Sequence, residues 1–266
     1  MAGEYFKTKD GVNLYYEING EGKPLVMVHG WDQSSEAFKY NVPELSKKYQ
    51  VITVDLRGHG KSDKPSYGYR IARLSKDIYE LLEYLDLKEV NLLGWSMGVS
   101  IIWSYWELFG AERLAKLIMV DEPPFLITMR DNDLGFITYE ALQPLLYSIV
   151  DDPVGSTSGF VDGMLVTEEG KRENADFYLN ESLKMPAEYV SKLFLHHCAM
   201  DWRDVIPTVT LPTLIIGAKK SIAMWESNEL THKLIKGSQF EVFETGHMMF
   251  IEERERFNKT VMDFIG

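Results

Sequence analysis

The stretch VNLLGWSMGVSIIW, residues 90–103, decides the fold. Four strand-like residues, Val90 to Leu93, run into Gly94-Trp95-Ser96-Met97-Gly98, and Val99 to Trp103 continue with helical character. A serine on a tight turn between strand and helix is held in strained backbone geometry, and small residues two positions to either side let the chain pass closely. Its hydroxyl projects from the turn. The amide of Met97, at the helix N-terminus, can donate to an oxyanion.

Outward from this turn, apolar runs of strand length recur: LVMV (25–28), VITV (51–54), LIMV (117–120), TLII (213–216) and FEVF (240–243). Mostly continuous runs of this kind predict strands covered on both faces. VNLYYEI (12–18) alternates, as an exposed antiparallel strand would. Between the strands, Ile71, Leu74, Ile78, Leu81, Leu82 and Leu85 share one helix face, and Phe257, Val261 and Phe264 suggest a closing helix. The class is therefore α/β, a mostly parallel sheet flanked by helices. The alternation breaks after Pro124, and from Phe125 to about Val205 no convincing strand is legible. The expected organisation is a core of residues 1–122 and 207–266 with a helical insertion over 123–206.

With 266 residues, 45% of them hydrophobic, the chain can bury a full core. Forty acids against 28 bases give a net charge of -12, and no basic stripe is present, which excludes nucleic acid as an expected partner. The amino-terminal stretch has no apolar h-region, and no segment reaches the ~18 apolar residues of a bilayer span. Cys198 is alone and cannot form an internal disulfide. The expectation is a soluble, cytoplasmic protein with no membrane partner. No metal-ligand spacing or cofactor fingerprint is visible, so neither a metal nor a cofactor is expected.

A serine nucleophile needs a base. Of the six histidines, His196 and His197 fall in the helical insertion and His232 among Lys and Glu, so these three read as surface or packing residues. His247 follows the strand FEVF in a loop that can face the same sheet edge as Ser96, and it is the candidate general base. His29 precedes Gly30 and Trp31 at another strand end. There the amide of Trp31 can supply a second oxyanion donor, with the imidazole as a brace near the substrate.

Taken in order, His29-Gly30-Trp31, the stretch Asp55 to Asp63 (DLRGHGKSD), Gly94 to Gly98 and Gly246-His247 resemble the α/β-hydrolase superfamily. The likeness is greatest to its cofactor-independent esterase and haloperoxidase-like branch, and it covers 1–122 and 207–266. The resemblance implies the α/β-hydrolase fold, Ser96 as nucleophile, His247 as base and the insertion as a cap over the site. It also implies that Arg57, His59 and Asp63 hold loops.

In most of that family the triad acid follows the strand corresponding to TLII. Here residues 217–225, GAKKSIAMW, carry no carboxylate before Glu226, and Lys220 or Ser221 holds the usual place. Some relatives carry the acid after the preceding strand, which in this chain ends in Asp121 and Glu122. Successive side chains point to opposite faces, so both cannot aim at His247. Pro123 further biases Glu122 toward extended backbone. Asp121 is preferred, then Glu122, with Glu226 third.

The expected activity is hydrolysis of carboxylic esters, lactones or thioesters of a small, apolar or aromatic substrate, with Trp95, Phe125, Met248 and His29 as substrate contacts. C–C bond hydrolysis, perhydrolysis, cyanohydrin cleavage and slow-turnover ligand sensing use the same residues and stay open. No aspartate stands at the elbow, which disfavours halide displacement and epoxide opening.

Overall fold

Leu25, Val26, Met27 and Val28 are all fully buried. Such a run has no solvent face and needs cover on both sides. The computed structural model, which describes residues 3–129 and 134–266, supplies it. The strands are β1 (Glu4–Lys7), β2 (Asn13–Asn19), β3 (Lys23–Val28), β4 (Tyr49–Val54), β5 (Val90–Trp95), β6 (Leu114–Val120), β7 (Ile127–Thr128), β8 (Ile137–Thr138), β9 (Thr213–Ala218) and β10 (Gln239–Phe243). Eight of them form one sheet in the order β1-β2-β4-β3-β5-β6-β9-β10. The β1/β2 and β2/β4 pairs are antiparallel and the remainder parallel.

Alternate side chains of each buried strand feed two separate cores. Val26, Val28, Leu92 and Met119 pack with the helices Ile71–Tyr84 and Met97–Phe109 on one face. Leu25, Met27, Leu93 and Ile118 pack with Phe257, Val261 and Ile265 of the helix Arg254–Ile265 on the other. Strand order reverses between β3 and its two parallel neighbours, β4 and β5. Beyond the carboxyl ends of strands at such a switch point lies the crevice where open α/β sheets bind ligands. The loops carrying His29 and Ser96 leave β3 and β5 there.

Four features differ from the pattern read in the sequence. β1 has only Phe6 buried, so it carries no strand signal of its own and is held by pairing with β2. β2 lies between β1 and β4 with Leu14, Tyr15 and Tyr16 buried, because the antiparallel neighbour covers what alternation suggested was exposed. β10 is an edge strand with Gln239 and Glu241 exposed. In the segment where no strand was legible, β7 and β8 form a parallel pair too short to leave a periodic trace.

Between β6 and β9 run the helices Tyr139–Asp151, Pro153–Met164, Glu168–Ser182 and Ala187–Cys198. The two ends of this insertion meet: Phe125 bridges Asp201, and the Trp202 amide donates to the Pro124 carbonyl at 2.9 Å. The insertion is also stitched to the loop after β3. The Trp31 indole donates to the Val190 carbonyl at 3.0 Å, Gln33 Nε2 to Ser182 Oγ at 2.6 Å and Ser34 Oγ to Glu181 at 2.6 Å. Among the described residues no helix is long and apolar enough to cross a membrane.

Two close approaches fix the turn after β5. A Cβ on Gly98 would lie 2.4 Å from the Val28 carbonyl oxygen, and one on Gly94 would lie 2.4 Å from that of Gly98. Backbone cannot yield as a flexible side chain can. Gly98→Ala is therefore expected to lower unfolding free energy by roughly 1–3 kcal/mol, read from the urea midpoint. An unchanged midpoint would contradict the close packing of this turn against β3.

Candidate active site

Ser96 has φ 53° and ψ -129°, in the left-handed half of backbone space that side chains avoid. The strain is held by its amide, which donates to Val120 O at 2.8 Å, and by the first turn of the following helix, where Val99 N–H donates to Ser96 O at 2.7 Å. Gly30 is backed against it: a Cβ there would lie 3.1 Å from that of Ser96. This brings the His29-Gly30-Trp31 loop beside the serine. The Trp31 amide has no hydrogen-bond partner among the described residues, and Met97 opens the helix with an amide that no intrahelical carbonyl reaches.

His247 is positioned by its own carbonyl, which accepts from the Trp95 indole at 3.1 Å. Its Nδ1 lies 2.7 Å from Asp121 Oδ2. Asp121 is fully buried and also has positive φ, 54°, with its amide donating to Ile216 O at 2.8 Å. Ser221 Oγ donates to the same Oδ2 and sits 3.2 Å from His247 Nδ1. The other carboxylate oxygen accepts from Asn228 Nδ2 at 2.9 Å. Three donors thus converge on one buried carboxylate, which is what holding its charge away from water requires.

Asn228 divides the two acids. While its amide holds Asp121, its oxygen accepts from the Glu122 backbone N–H at 3.1 Å. The Glu122 side chain goes elsewhere, with Oε1 2.6 Å from His197 Nε2 and accepting from Ser100 Oγ at 3.0 Å. Glu226, in the first turn of the helix Trp225–Leu234, is absent from both groups.

Ser96, His247, Trp31, Asp32 and Trp95 open onto one cavity. Its wall on the insertion side is Leu126, Phe136, Phe160, Met164 and Phe194, joined by Glu122 and His197, with Ile222 and Ala223 closing one flank. The Trp31 ring packs 4.5 Å from Phe194 and 5.0 Å from Phe160, centroid to centroid.

Three expected substrate contacts lie outside this wall. His29 is fully buried, with Nδ1 donating to Gly30 O at 2.8 Å and Nε2 accepting from Leu56 N–H at 3.1 Å, so both ring nitrogens serve the backbone. Phe125 is taken up by the bridge that closes the insertion. Met248 is turned into the core beneath, with no exposed surface. His197, read as a surface or packing residue, is buried, and it lies in the cavity wall with a carboxylate partner. Neither Ser221 nor Asn228 carries a sequence signal as a partner of Asp121, apart from the position of Ser221 in the slot where an acid is usual.

The stretch 55–63 forms the frame beside the site. Arg57 is fully buried and makes paired 2.9 Å bonds to Asp77. Asp55 accepts from the amides of Ser35 and Lys61, and Asp63 accepts from Asn13. Among the described residues no group of three His, Cys, Asp or Glu side chains is arranged to hold a metal.

A family model described as alpha/beta hydrolase fold matches residues 23–254. The chain belongs to the α/β-hydrolase family. A protein provisionally named a non-heme chloroperoxidase in Synechocystis sp. is 30% identical over 96% of this chain and 95% of its own. The crystal structure of a bromoperoxidase from Bacillus anthracis superposes with a TM-score of 0.95 at 26% identity, and an esterase from Exiguobacterium antarcticum with 0.94 at 32% identity, each covering 99% of both chains. This α/β hydrolase is thus an enzyme of the superfamily, in its haloperoxidase- and esterase-like branch.

Within the hydrolase, three titratable groups near the site are displaced from their ordinary values. Burial lowers His29 to about 4 and His59, whose ring lies 5.0 Å away, to about 3. Both therefore fold as neutral imidazoles, and their contribution to stability is lost as pH falls below 6.5 toward those values. Asp32, with φ 55°, is pushed up by burial to about 7, against smaller opposing effects of hydrogen bonds from Ser182 and Gln33. Here the sign reverses. The unfolded carboxyl releases its proton first, so the folded state binds more protons between pH 4 and 7 and loses stability as pH rises through that window. The loss amounts to at most roughly 4 kcal/mol. Urea denaturation of wild type and Asp32→Asn at matched pH is expected to show the variant gaining on the wild type from pH 4 to pH 8. A difference that does not change with pH would refute the assignment.

Proposed function

We propose that this α/β hydrolase is a serine hydrolase that cleaves carboxylic esters, lactones or thioesters of small apolar or aromatic compounds through an acyl-enzyme on Ser96. The observation that carries the reading is the buried chain Ser221–Asp121–His247, whose imidazole opens onto the same cavity as the strained serine. With Nδ1–H donated to Asp121, the tautomer leaves Nε2 to take the serine proton as Oγ attacks the carbonyl carbon. The amides of Trp31 and Met97 donate to the oxygen as it gains charge. Collapse breaks the bond to the leaving alcohol, which carries the proton away from His247. Water then attacks the acyl-enzyme, His247 takes its proton, and the acid departs as Ser96 recovers its hydrogen.

The aromatic and aliphatic wall supports an apolar acyl or aryl group. A second reading puts hydrogen peroxide in the place of water, so that the acyl group leaves as a peracid. The peroxidase names of two relatives favour it.

The test is the time course of p-nitrophenol release from esters of increasing acyl length, with and without hydrogen peroxide. Sustained turnover is expected, with Ser96→Ala losing at least about 10³-fold and Asp121→Asn about 10⁴-fold in kcat. Ser221→Ala is expected to lose about tenfold, the rate equivalent of one charge-assisted hydrogen bond. A single burst without turnover would remove sustained ester hydrolysis by way of Ser96 and favour slow turnover of a tightly held ligand. Peracid formed in preference to acid would favour the second reading.

A further inference from the structure

The cavity holds a second carboxylate–imidazole pair, which the reaction proposed above does not use. Glu122, His197 and Ser100 are 4%, 2% and 0% exposed. Ser100 Oγ and His197 Nε2 lie 3.2 Å apart, and both reach Glu122 Oε1, at 3.0 and 2.6 Å. These contacts assign the hydrogens: the serine O–H donates to the carboxylate, and Nε2–H is shared between the carboxylate and the serine oxygen. That leaves His197 Nδ1, which is buried and has no partner among the described residues, in a ring that forms part of the cavity wall. A polar nitrogen shut away from water without a partner is costly to a fold, and such exceptions in native structures call for a reason.

Placement suggests one. Ser100 is one helical turn past Ser96, on the order of 6 Å along the axis. The surroundings are otherwise apolar, with Leu126, Phe136 and Phe194 sharing the wall. We propose that His197, oriented by Glu122 and Ser100, is a specificity-determining residue that receives a hydroxyl or N–H of the substrate about one helical turn from the scissile carbonyl. The substrate class is thereby narrowed to small aromatic or aliphatic esters bearing one such donor. The inference rests on the acyl-enzyme reading for the reaction, but its binding component can be measured apart from it. A site built to pair with a substrate O–H rejects the analogue lacking it far more strongly than an apolar pocket rejects a changed methylene.

The test compares methyl 4-hydroxyphenylacetate, whose phenol lies about that far from the carbonyl, with methyl phenylacetate and methyl mandelate. Wild type is expected to prefer the phenol over methyl phenylacetate by at least tenfold in kcat/KM. His197→Gln keeps a donor at the place of Nε2 for Glu122 and has nothing at Nδ1, so the ratio is expected to fall to near one. His197→Asn, which keeps a polar atom near the Nδ1 position, is expected to retain part of the preference. The same ester pair is titrated against Ser96→Ala protein by tryptophan fluorescence, since Trp31 and Trp95 line the cavity.

A wild-type ratio below threefold, or one that His197→Gln leaves intact, overturns the inference while leaving ester hydrolysis standing. Preference for methyl mandelate alone also overturns it, because it puts the polar contact beside the carbonyl. Absence of turnover together with tighter binding of the phenol that His197→Gln abolishes supports the inference and removes the acyl-enzyme reading. Absence of both turnover and His197-dependent preference removes the two together.

Discussion

A carboxylate with no access to water has to be answered by donors, and in this protein Asp121 sets that requirement for everything around it. His247, Ser221 and Asn228 approach it from the loop after β10, the loop after β9 and the next helix. Asp121 meets all three from a left-handed backbone immediately past the end of β6. Burial strengthens each bond by lowering the local dielectric, and it raises the penalty for losing any one. The orientation of the imidazole is therefore a property of three segments far apart in sequence, held in register by parallel pairing of β6, β9 and β10.

The adjacent pair Asp121-Glu122 shows how much chemistry a strand end can separate. Their carboxylates serve different histidines, and one asparagine touches both residues. The chain has left the extended conformation at Asp121, so the separation rests on contacts: Asn228 bonds to the side chain of one residue and to the backbone of the other. The result is two polar poles in a cavity whose remaining wall is mostly apolar.

Local pattern accounts for most of what the sequence disclosed. The turn at Ser96, the loop histidine His247, the carboxylate at the end of β6 that meets it and the main parallel strands all leave short, contiguous traces. What it hid depends on partners remote in the chain. β1 exists through pairing with β2, and the burial of β2 comes from neighbours rather than from its own alternation. His29, Phe125 and Met248 do not line the cavity, because proximity along the chain to the serine turn or the loop histidine does not say which way a side chain turns. His197 looked like one histidine among several in a helix, and only the fold brings it to Glu122, 75 residues away.

The hydrogen bond from the Trp31 indole to Val190 joins the insertion to the loop that follows β3 beside the serine. A displacement of the helix Ala187–Cys198 would break that bond or carry the tryptophan ring with it. The same ring walls the cavity, so the shape of that cavity and the seat of the helix are a single mechanical constraint.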